Sequence, residues 1–476
     1  MQPSCSPDAR ARSTRSASTA AMLARAGDDG VGSADPSGNV RAVSDDLTTD
    51  RGQKGWGAIG IAAALTLPAF LMRFGVFHVA VGVETLLFGL GILGAAFLLA
   101  WGAEVAQLDI SQGLAIAFLA FIAVLPEYAV DLVFAWKAGA ADAAAAAGGM
   151  PDPCVLSEDC SRQLAIANMT GANRLLIGIG WAVVVLVWWW RTKQKGISLP
   201  DSRRTDLGFL FLGTAWAVTI VIRQQANLLD MVVLVTLFGL YVWHAAAEEQ
   251  EHPQLVGPPV VIAALPVAKR RAVTIGLFVF AAVGILIAAE PFAEGLVHIG
   301  EEFGISPFLL VQWLAPLASE APEMIIAILF VLRAKPAQGL GALVSSKVNQ
   351  WTLLVGTLPL FYAISYGAGG GGSWTHPLHL GGRQVEEVLL TAAQSLFAAA
   401  VLANLTISRG EAIMLLVLFS AQLGFPQTNV RYGFSAVYLL MFGFLVIKNP
   451  ATRRGLVAGV KRALTKPGRA PIEGRT

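Results

Sequence analysis

Long apolar runs recur along this chain from about residue 57 to about residue 449. Most of them have roughly 17 to 28 residues, which is enough for an α-helix to cross a hydrocarbon core of about 30 Å at about 1.5 Å per residue. The pattern therefore predicts an all-α polytopic membrane protein with about twelve transmembrane helices, over residues 57–77, 79–105, 110–137, 163–190, 207–223, 228–246, 272–294, 305–333, 338–366, 386–406, 410–424 and 432–449.

The N-terminal segment has a different pattern from the rest. Residues 1–55 are rich in Ser, Ala, Arg, Asp and Gly without apolar periodicity, which predicts a disordered tail. The tail also lacks the apolar stretch of a signal peptide. Over the whole chain, the mean hydropathy of +0.62 with 55% hydrophobic and 14% charged residues excludes a water-soluble fold.

Basic residues mark alternate loops, so they predict an orientation. A cytoplasmic N-terminus places on the inner face the loop 191–204, the loop 247–271 and the basic tail 450–476, whereas the loop 139–161 is acidic and falls outside. We expect both termini of this integral membrane protein in the cytoplasm and the protein in the plasma membrane. In an oxidising outer compartment, Cys154 and Cys160 of that outer loop are candidates for a disulfide, with two free thiols as the alternative.

The two halves of the chain repeat one order of features. Residues 95–127 end in Leu125-Pro126-Glu127, and residues 287–323 end in Ala321-Pro322-Glu323; a small-residue helix follows each. This alignment pairs Gly171 with Ser345 and gives two five-span repeats, over residues 79–246 and 272–424, with one extra helix at each end (57–77 and 432–449). Because five is odd, the second repeat enters the membrane upside down, and such inverted repeats place a substrate site at the midplane.

Glu127 and Glu323 are the candidate centre of that site. A carboxylate inside a membrane costs several kcal/mol unless a cation, a proton or hydrogen bonds compensate it. The preceding prolines should interrupt both helices and free the carbonyl oxygens of Ile122 and Ala318. Hard cations such as Ca²⁺ bind these kinds of oxygen. Competition between one divalent ion and sodium ions or protons for the same oxygens would couple two gradients.

At these residues the chain resembles the sodium/calcium exchanger (cation/calcium antiporter) superfamily, whose repeats each carry a G-T-S-x-P-E and a G-S-N-x-x-N segment. Ala120–Glu127 is similar to the first segment and Ala318–Glu323 to its second copy. The resemblance covers about residues 79–425. It implies a five-plus-five inverted core in which Glu127 and Glu323 bind Ca²⁺ and share ligands with Na⁺.

The chain departs from the family pattern most in its first half. Ala123, Val124, Ala172 and Leu176 replace polar residues there, whereas the second half keeps further candidate ligands and both halves add charges. The candidate cation-binding residues beside the two glutamates are Ser319, Glu320, Ser346, Gln350 and Asp131, and the candidate charge-compensating bases are Lys347 and Arg174. Added acids and a fixed base suit proton coupling; alternatively, the bases pair locally or snorkel away from the site, or one of them pairs with a glutamate and only holds helices together.

These patterns predict a secondary antiporter that exchanges Ca²⁺ or another divalent cation for Na⁺, or, as the alternative, for H⁺. A cation channel and an intramembrane enzyme are weaker alternatives: a narrow paired-carboxylate site favours binding over conduction, and no nucleophile or metalloprotease motif lies nearby. We expect no cofactor, no nucleic acid and no obligatory protein partner. The expected partners are the lipid bilayer and inorganic cations.

Overall fold

The computed structural model describes residues 36–109, 125–149, 160–247, 255, 257–425 and 427–466. Within these ranges the chain is largely helical. The α-helices are α1 (Pro36–Arg73), α2 (Val81–Ala106), α3 (Leu125–Gly148), α4 (Ser161–Leu175), α5 (Ala182–Thr192), α6 (Arg204–Arg223), α7 (Leu228–Ala247), α8 (Pro259–Ala263), α9 (Val267–Phe303), α10 (Pro307–Leu332), α11 (Pro336–Asn349), α12 (Val355–Ala368), α13 (Gly382–Leu402), α14 (Arg409–Leu423), α15 (Thr428–Lys448) and α16 (Pro450–Leu464).

The helical content agrees with the predicted class, and ten helices in the described ranges are long and apolar enough to cross a membrane. Two predicted spans are not among the ten. Residues 110–137 lie partly outside the described ranges, and 410–424 corresponds to α14, which has 15 residues. The chain divides into two compact units, Met1–Gln53 and Lys54–Thr476. Helix α1 begins at Pro36, inside the segment 1–55 for which disorder was predicted.

Four short strands connect the two repeats. They are β1 (Gly196–Ser198), β2 (Gln225–Ala226), β3 (Leu378–His379) and β4 (Thr406–Ser408). Strand β1 pairs antiparallel with β4, and β2 pairs with β3. Strands β1 and β3 follow the third span of their repeats, and β2 and β4 follow the fourth span. Each ladder therefore pairs a strand after a third span with a strand after the fourth span of the other repeat. This exchange is what a two-fold axis in the membrane plane produces, so it supports the inverted repeat.

The third span of each repeat carries a π-helical turn. Leu176–Trp181 separates α4 from α5, and Gln350–Leu354 separates α11 from α12. In both repeats the turn directly follows the small-residue helix that the sequence alignment paired. Because π-turns are rare and frequently occur at functional sites, their matching positions mark the same region as the sequence repeat.

Asp109, just beyond the end of α2, attaches that helix to the beginning of α9. Arg270 donates from Nε and Nη2 to the two carboxylate oxygens, each over 2.8 Å, and Arg271 Nε lies 3.1 Å from Oδ1. These bonds to two guanidinium groups lower the pKa of Asp109 from 3.8 to about 2. The first helices of the two repeats are thus tied together at one end.

Close approach of α4 to α10 depends on a glycine. A Cβ on Gly171 would lie 1.9 Å from the carbonyl oxygen of Gln312. A backbone atom cannot move aside as a flexible side chain can, and small residues allow helices to approach in membranes. Gly171 therefore brings α4 against the segment of α10 that precedes Ser319.

We predict that Gly171→Ala destabilises the protein by about 1–3 kcal/mol, because overpacking forces the two helices apart. Gly239→Ala on α7 is the matched control, since a Cβ there has no neighbour within 4 Å. Thermal unfolding of the purified variants in detergent measures the difference. Equal melting temperatures for both variants would contradict the close packing of α4 on α10.

Candidate cation site

Glu127 and Glu323 lie on two helices that pack near each other. Glu127 is in the first turn of α3 and is 1% exposed, whereas Glu323 lies in the second half of α10 and keeps some exposed surface. The break expected at Pro322 is absent, because α10 continues through both Pro316 and Pro322. The effect of Pro322 is restricted to its missing N–H, which leaves the carbonyl of Ala318 without its usual helical donor. Ile122 lies outside the described residues.

The two glutamates face the same group of side chains. The Glu127 carboxyl lies beside the Ser319 hydroxyl and the Glu320 carboxyl, and it interacts electrostatically with Glu323. Among the described residues, no ion pair includes Glu127, Glu320 or Glu323. The alternative that a base pairs with one of these glutamates and only holds helices together therefore has no support here. The structure therefore gathers three carboxyl groups, from α3 and α10, in one buried region.

The second repeat supplies neutral polar groups to this region. The Gln350 amide donates to Oε1 of Glu320, and the Ser346 hydroxyl lies beside Glu323. Ser319, Ser346 and Gln350 are all buried. The end of α11 and the π-turn that follows it thus lie against the carboxyl groups of α10.

Asp131 lies one turn beyond Glu127 and is fully buried. Asn168 of α4 donates from Nδ2 to Asp131 Oδ1 over 2.8 Å. The sequence analysis did not single out Asn168 or its neighbour on α10, Gln312. Both are buried amides on helices of small and apolar residues, and that polarity at membrane depth was the signal that could have identified them.

Several buried oxygen atoms on α3, α4, α10 and the π-turn after α11 have no hydrogen-bond donor among the residues that the structure describes. Buried acceptors are normally paired, so a group of unpaired ones indicates a binding site for something else. In the described ranges no three His, Cys, Asp or Glu side chains are placed to hold one metal ion together, so this conformation does not converge them on a point. The unpaired atoms are Glu127 Oε2, Asp131 Oδ2, Asn168 Oδ1, Gln312 Oε1, Glu320 Oε2 and Gln350 Oε1.

Lys347 is fixed between the two repeats. Its ammonium donates to Asn173 at the backbone oxygen (2.9 Å) and at Oδ1 (2.7 Å), and it lies 4.9 Å from the ring centre of Trp351. Asn173 and Lys347 each follow the aligned residues Gly171 and Ser345 by two positions, so repeat-related side chains contact each other. The ammonium also interacts electrostatically with Glu320. It is a basic group held in place near the carboxyl groups.

Arg174, the second expected base, points to a different partner. Its Nη2 lies 2.5 Å from Glu387 Oε2, and its guanidinium lies 5.1 Å from the ring centre of Trp313. Glu387 on α13 was not anticipated from the sequence. Of the two expected bases, only Lys347 is therefore bound close to the candidate cation site.

Of the disulfide predicted between Cys154 and Cys160, the structure describes only Cys160. Cys160, immediately before α4, is disulfide-bonded. Cys154 lies outside the described residues, so the pairing of Cys154 with Cys160 stays a prediction.

The chain matches the model of one protein family, described as sodium/calcium exchanger protein, over residues 82–247 and 273–426. These two blocks cover more than half of the chain and nearly coincide with the two predicted repeats. The chain belongs to the sodium/calcium exchanger family. The resemblance inferred from the sequence is thereby confirmed, and this exchanger is a cation/Ca²⁺ antiporter in an integral membrane fold.

A crystal structure of an exchanger supports the same relation. A crystal structure of the H⁺/Ca²⁺ exchanger CAX is 41% identical to this exchanger, with a TM-score of 0.78, and the match covers 87% of this chain and 99% of that one. The sodium-calcium exchanger NCX_Mj is 18% identical with a TM-score of 0.45, over 73% and 99% of the two chains. A search of curated protein sequences gives no match. The membrane transporter fold class is thus confirmed, while the count of twelve spans stays a prediction.

We predict that a membrane-soluble carbodiimide modifies Glu323 before Glu127, because residue 323 is half-buried whereas Glu127 is 1% exposed in this conformation. Such reagents attack protonated carboxyl groups, and bound Ca²⁺ should protect both residues. Peptide mass spectrometry of the purified exchanger after increasing times of exposure measures the order. Asp131, which is fully buried, is the internal control. Faster modification of Glu127 than of Glu323 would contradict the described exposure.

Proposed function

We propose that this exchanger moves Ca²⁺ against H⁺, with Glu127, Glu320 and Glu323 binding either ion. The observation that carries the proposal is the group of three buried carboxyl groups without an ion-paired base. In a membrane such groups are stable when protonated or when a cation is bound, and they are costly when several are charged and empty. The protonated state and the Ca²⁺-bound state are the two loaded forms of an antiporter.

Coupling follows from this competition. Binding of Ca²⁺ favours the charged carboxylates and displaces their protons, and protonation from the other side displaces Ca²⁺ in turn. The empty, charged site is too costly to reorient between the two faces of the membrane, so neither ion moves without the other. We propose that Ser319, Ser346, Gln350, Asp131 and the carbonyls of Ala318 and Ile122 complete the oxygen ligands of the metal.

Two features favour H⁺ over the Na⁺ that the family resemblance implies first. The carboxyl group of Glu320 occupies a position where the family has a hydroxyl, and the basic side chain of Lys347 interacts electrostatically with it. The 41% identical CAX is an H⁺/Ca²⁺ exchanger. Coupling to Na⁺ stays the second candidate, because the neutral oxygens of Ser319, Ser346 and Gln350 are ligands that Na⁺ accepts.

The family and CAX are exchangers, which supports transport rather than catalysis, without a cofactor or an obligatory protein partner. We propose the plasma membrane as the location, with both termini in the cytoplasm. The β-ladders support the alternation of loops behind this topology, since each joins two loops that were predicted on the same face.

We predict that an imposed H⁺ gradient drives ⁴⁵Ca²⁺ into proteoliposomes and that a Na⁺ gradient of equal size does not. Glu127→Gln and Glu323→Gln should each lower uptake by about 100-fold or more, because one lost charge–metal contact in a buried site is worth several kcal/mol. Glu294→Gln, which removes an exposed carboxylate of α9, is the control and should transport normally.

Two results would overturn this proposal. Uptake driven only by a Na⁺ gradient would show that Ca²⁺ transport is coupled to Na⁺. Normal uptake by both Gln variants would show that Glu127 and Glu323 do not belong to the site. Net Ca²⁺ uptake that carries current and moves neither H⁺ nor Na⁺ in the opposite direction would instead indicate a channel.

A further inference from the structure

A group of four charges lies buried beside α4, apart from the carboxyl groups of the cation site. We call Arg174, Glu386, Glu387 and Arg431 the charge cluster; each side chain is at most 1% exposed. Glu387 lies between the two arginines: Arg174 Nη2 is 2.5 Å from Oε2, and Arg431 Nη1 contacts Oε1. Arg431 Nε also lies 3.5 Å from Glu386 Oε1. The cluster holds two positive and two negative charges, so its formal charge is zero.

Helix α15 contributes to this cluster although most of its surface faces outwards. Its buried residues are Arg431, Ser435 and Tyr438, which are all polar and lie on one stripe. Lipid provides no hydrophobic driving force for helix association, so polar contacts hold such a helix in place. The ion pairs of Arg431 with α13 therefore attach α15, a helix outside both repeats, to the core.

The cluster reaches the cation site through one residue. Arg174 directly follows Asn173, whose two oxygens bind the Lys347 ammonium. Gln394 of α13 donates to the Arg174 backbone oxygen over 3.4 Å, which fixes that part of α4. Lys347 interacts electrostatically with Arg174 on one side and with Glu320 on the other. The charge of Arg174 therefore acts, through Lys347, on the region where the metal would bind.

We propose that Glu387 is a positioning residue that sets the Ca²⁺ affinity of this exchanger by cancelling the charge of Arg174, the residue that follows Asn173 on α4. The proposal rests on the assignment of that site to Glu127 and Glu323. Without the Glu387 carboxylate, two arginines face one glutamate and the cluster carries one excess positive charge. In the protein interior, an excess unit charge on the order of 10 Å from a Ca²⁺ ion changes the Ca²⁺ binding constant about ten-fold or more. An excess positive charge repels Ca²⁺, and an excess negative charge attracts it. The same charge acts on the protons that Ca²⁺ displaces, so Ca²⁺ affinities are compared at a pH high enough to keep the carboxyl groups of the site deprotonated.

The test is a series of variants that differ in the charge of the cluster. Glu387→Gln makes it +1 and should raise the Ca²⁺ concentration for half-maximal uptake about ten-fold. Arg431→Gln makes it −1 and should lower that concentration. Glu387→Gln combined with Arg431→Gln restores zero and should return it near the wild-type value. The maximal rate per folded molecule should stay unchanged throughout, and equilibrium Ca²⁺ binding by the purified protein should shift in parallel.

Asp230→Asn is the matched control, since it also removes a buried, ion-paired carboxylate, whose polar partners among the described residues are Trp216, Arg223 and Asn227. It should leave the Ca²⁺ affinity unchanged. If Glu387→Gln does not fold, Glu386→Gln repeats the +1 charge at the longer ion pair of 3.5 Å.

The outcomes separate this inference from the function on which it rests. If Glu127→Gln loses Ca²⁺ binding but the charge series leaves the affinity unchanged, the cation site stands and the role of Glu387 is wrong. The same holds if both single variants weaken binding, because a merely structural role moves them in one direction. If Glu127→Gln binds Ca²⁺ like the wild type, both the site and this inference fail.

Discussion

A carboxylate in a membrane interior must share its charge with a cation, a proton or hydrogen bonds, and much of this structure follows from that requirement. Glu127, Glu320 and Glu323 lie close together, and the described residues supply no ion-paired base for them, which is why we propose that exchanged ions compensate their charge. By contrast, Glu386 and Glu387 pair with two arginines. The same residue type thus forms ion pairs between helices in one place and, in our proposal, binds the exchanged ions in another.

The inverted repeat provides the geometry for that site. Matching π-turns at Leu176–Trp181 and Gln350–Leu354 lie next to the polar segments, and the crossed β-ladders tie the repeats at the loops. The symmetry of the backbone is not matched by the side chains. Asn173 and Lys347 occupy equivalent positions, yet one accepts and the other donates in a single contact across the repeats. The two halves have thus diverged, so that Lys347 stands where the symmetry of the repeat would place a second asparagine.

The features of this protein that leave a local or periodic pattern in the sequence could be predicted from the sequence alone. Hydropathy, the five-span repeat and the two Pro-Glu motifs are local or periodic signals, and the family match over residues 82–247 and 273–426 confirms the family that they indicated. The partners of Arg174 and Lys347 could not be predicted, because Glu387 and Asn173 are more than 170 residues away from them in sequence. The unbroken α10 shows a further limit: neighbouring helices can support a helix through Pro316 and Pro322 where local rules predict a break.

The central claim is that Ca²⁺ and protons compete for the same buried carboxyl groups. The most direct measurement is the proton release when Ca²⁺ is added to the purified exchanger in a weakly buffered detergent solution at neutral pH. The account predicts release of about two protons for each Ca²⁺ bound, and much less in Glu127→Gln and Glu323→Gln. Ca²⁺ binding without proton release in the wild type would contradict it.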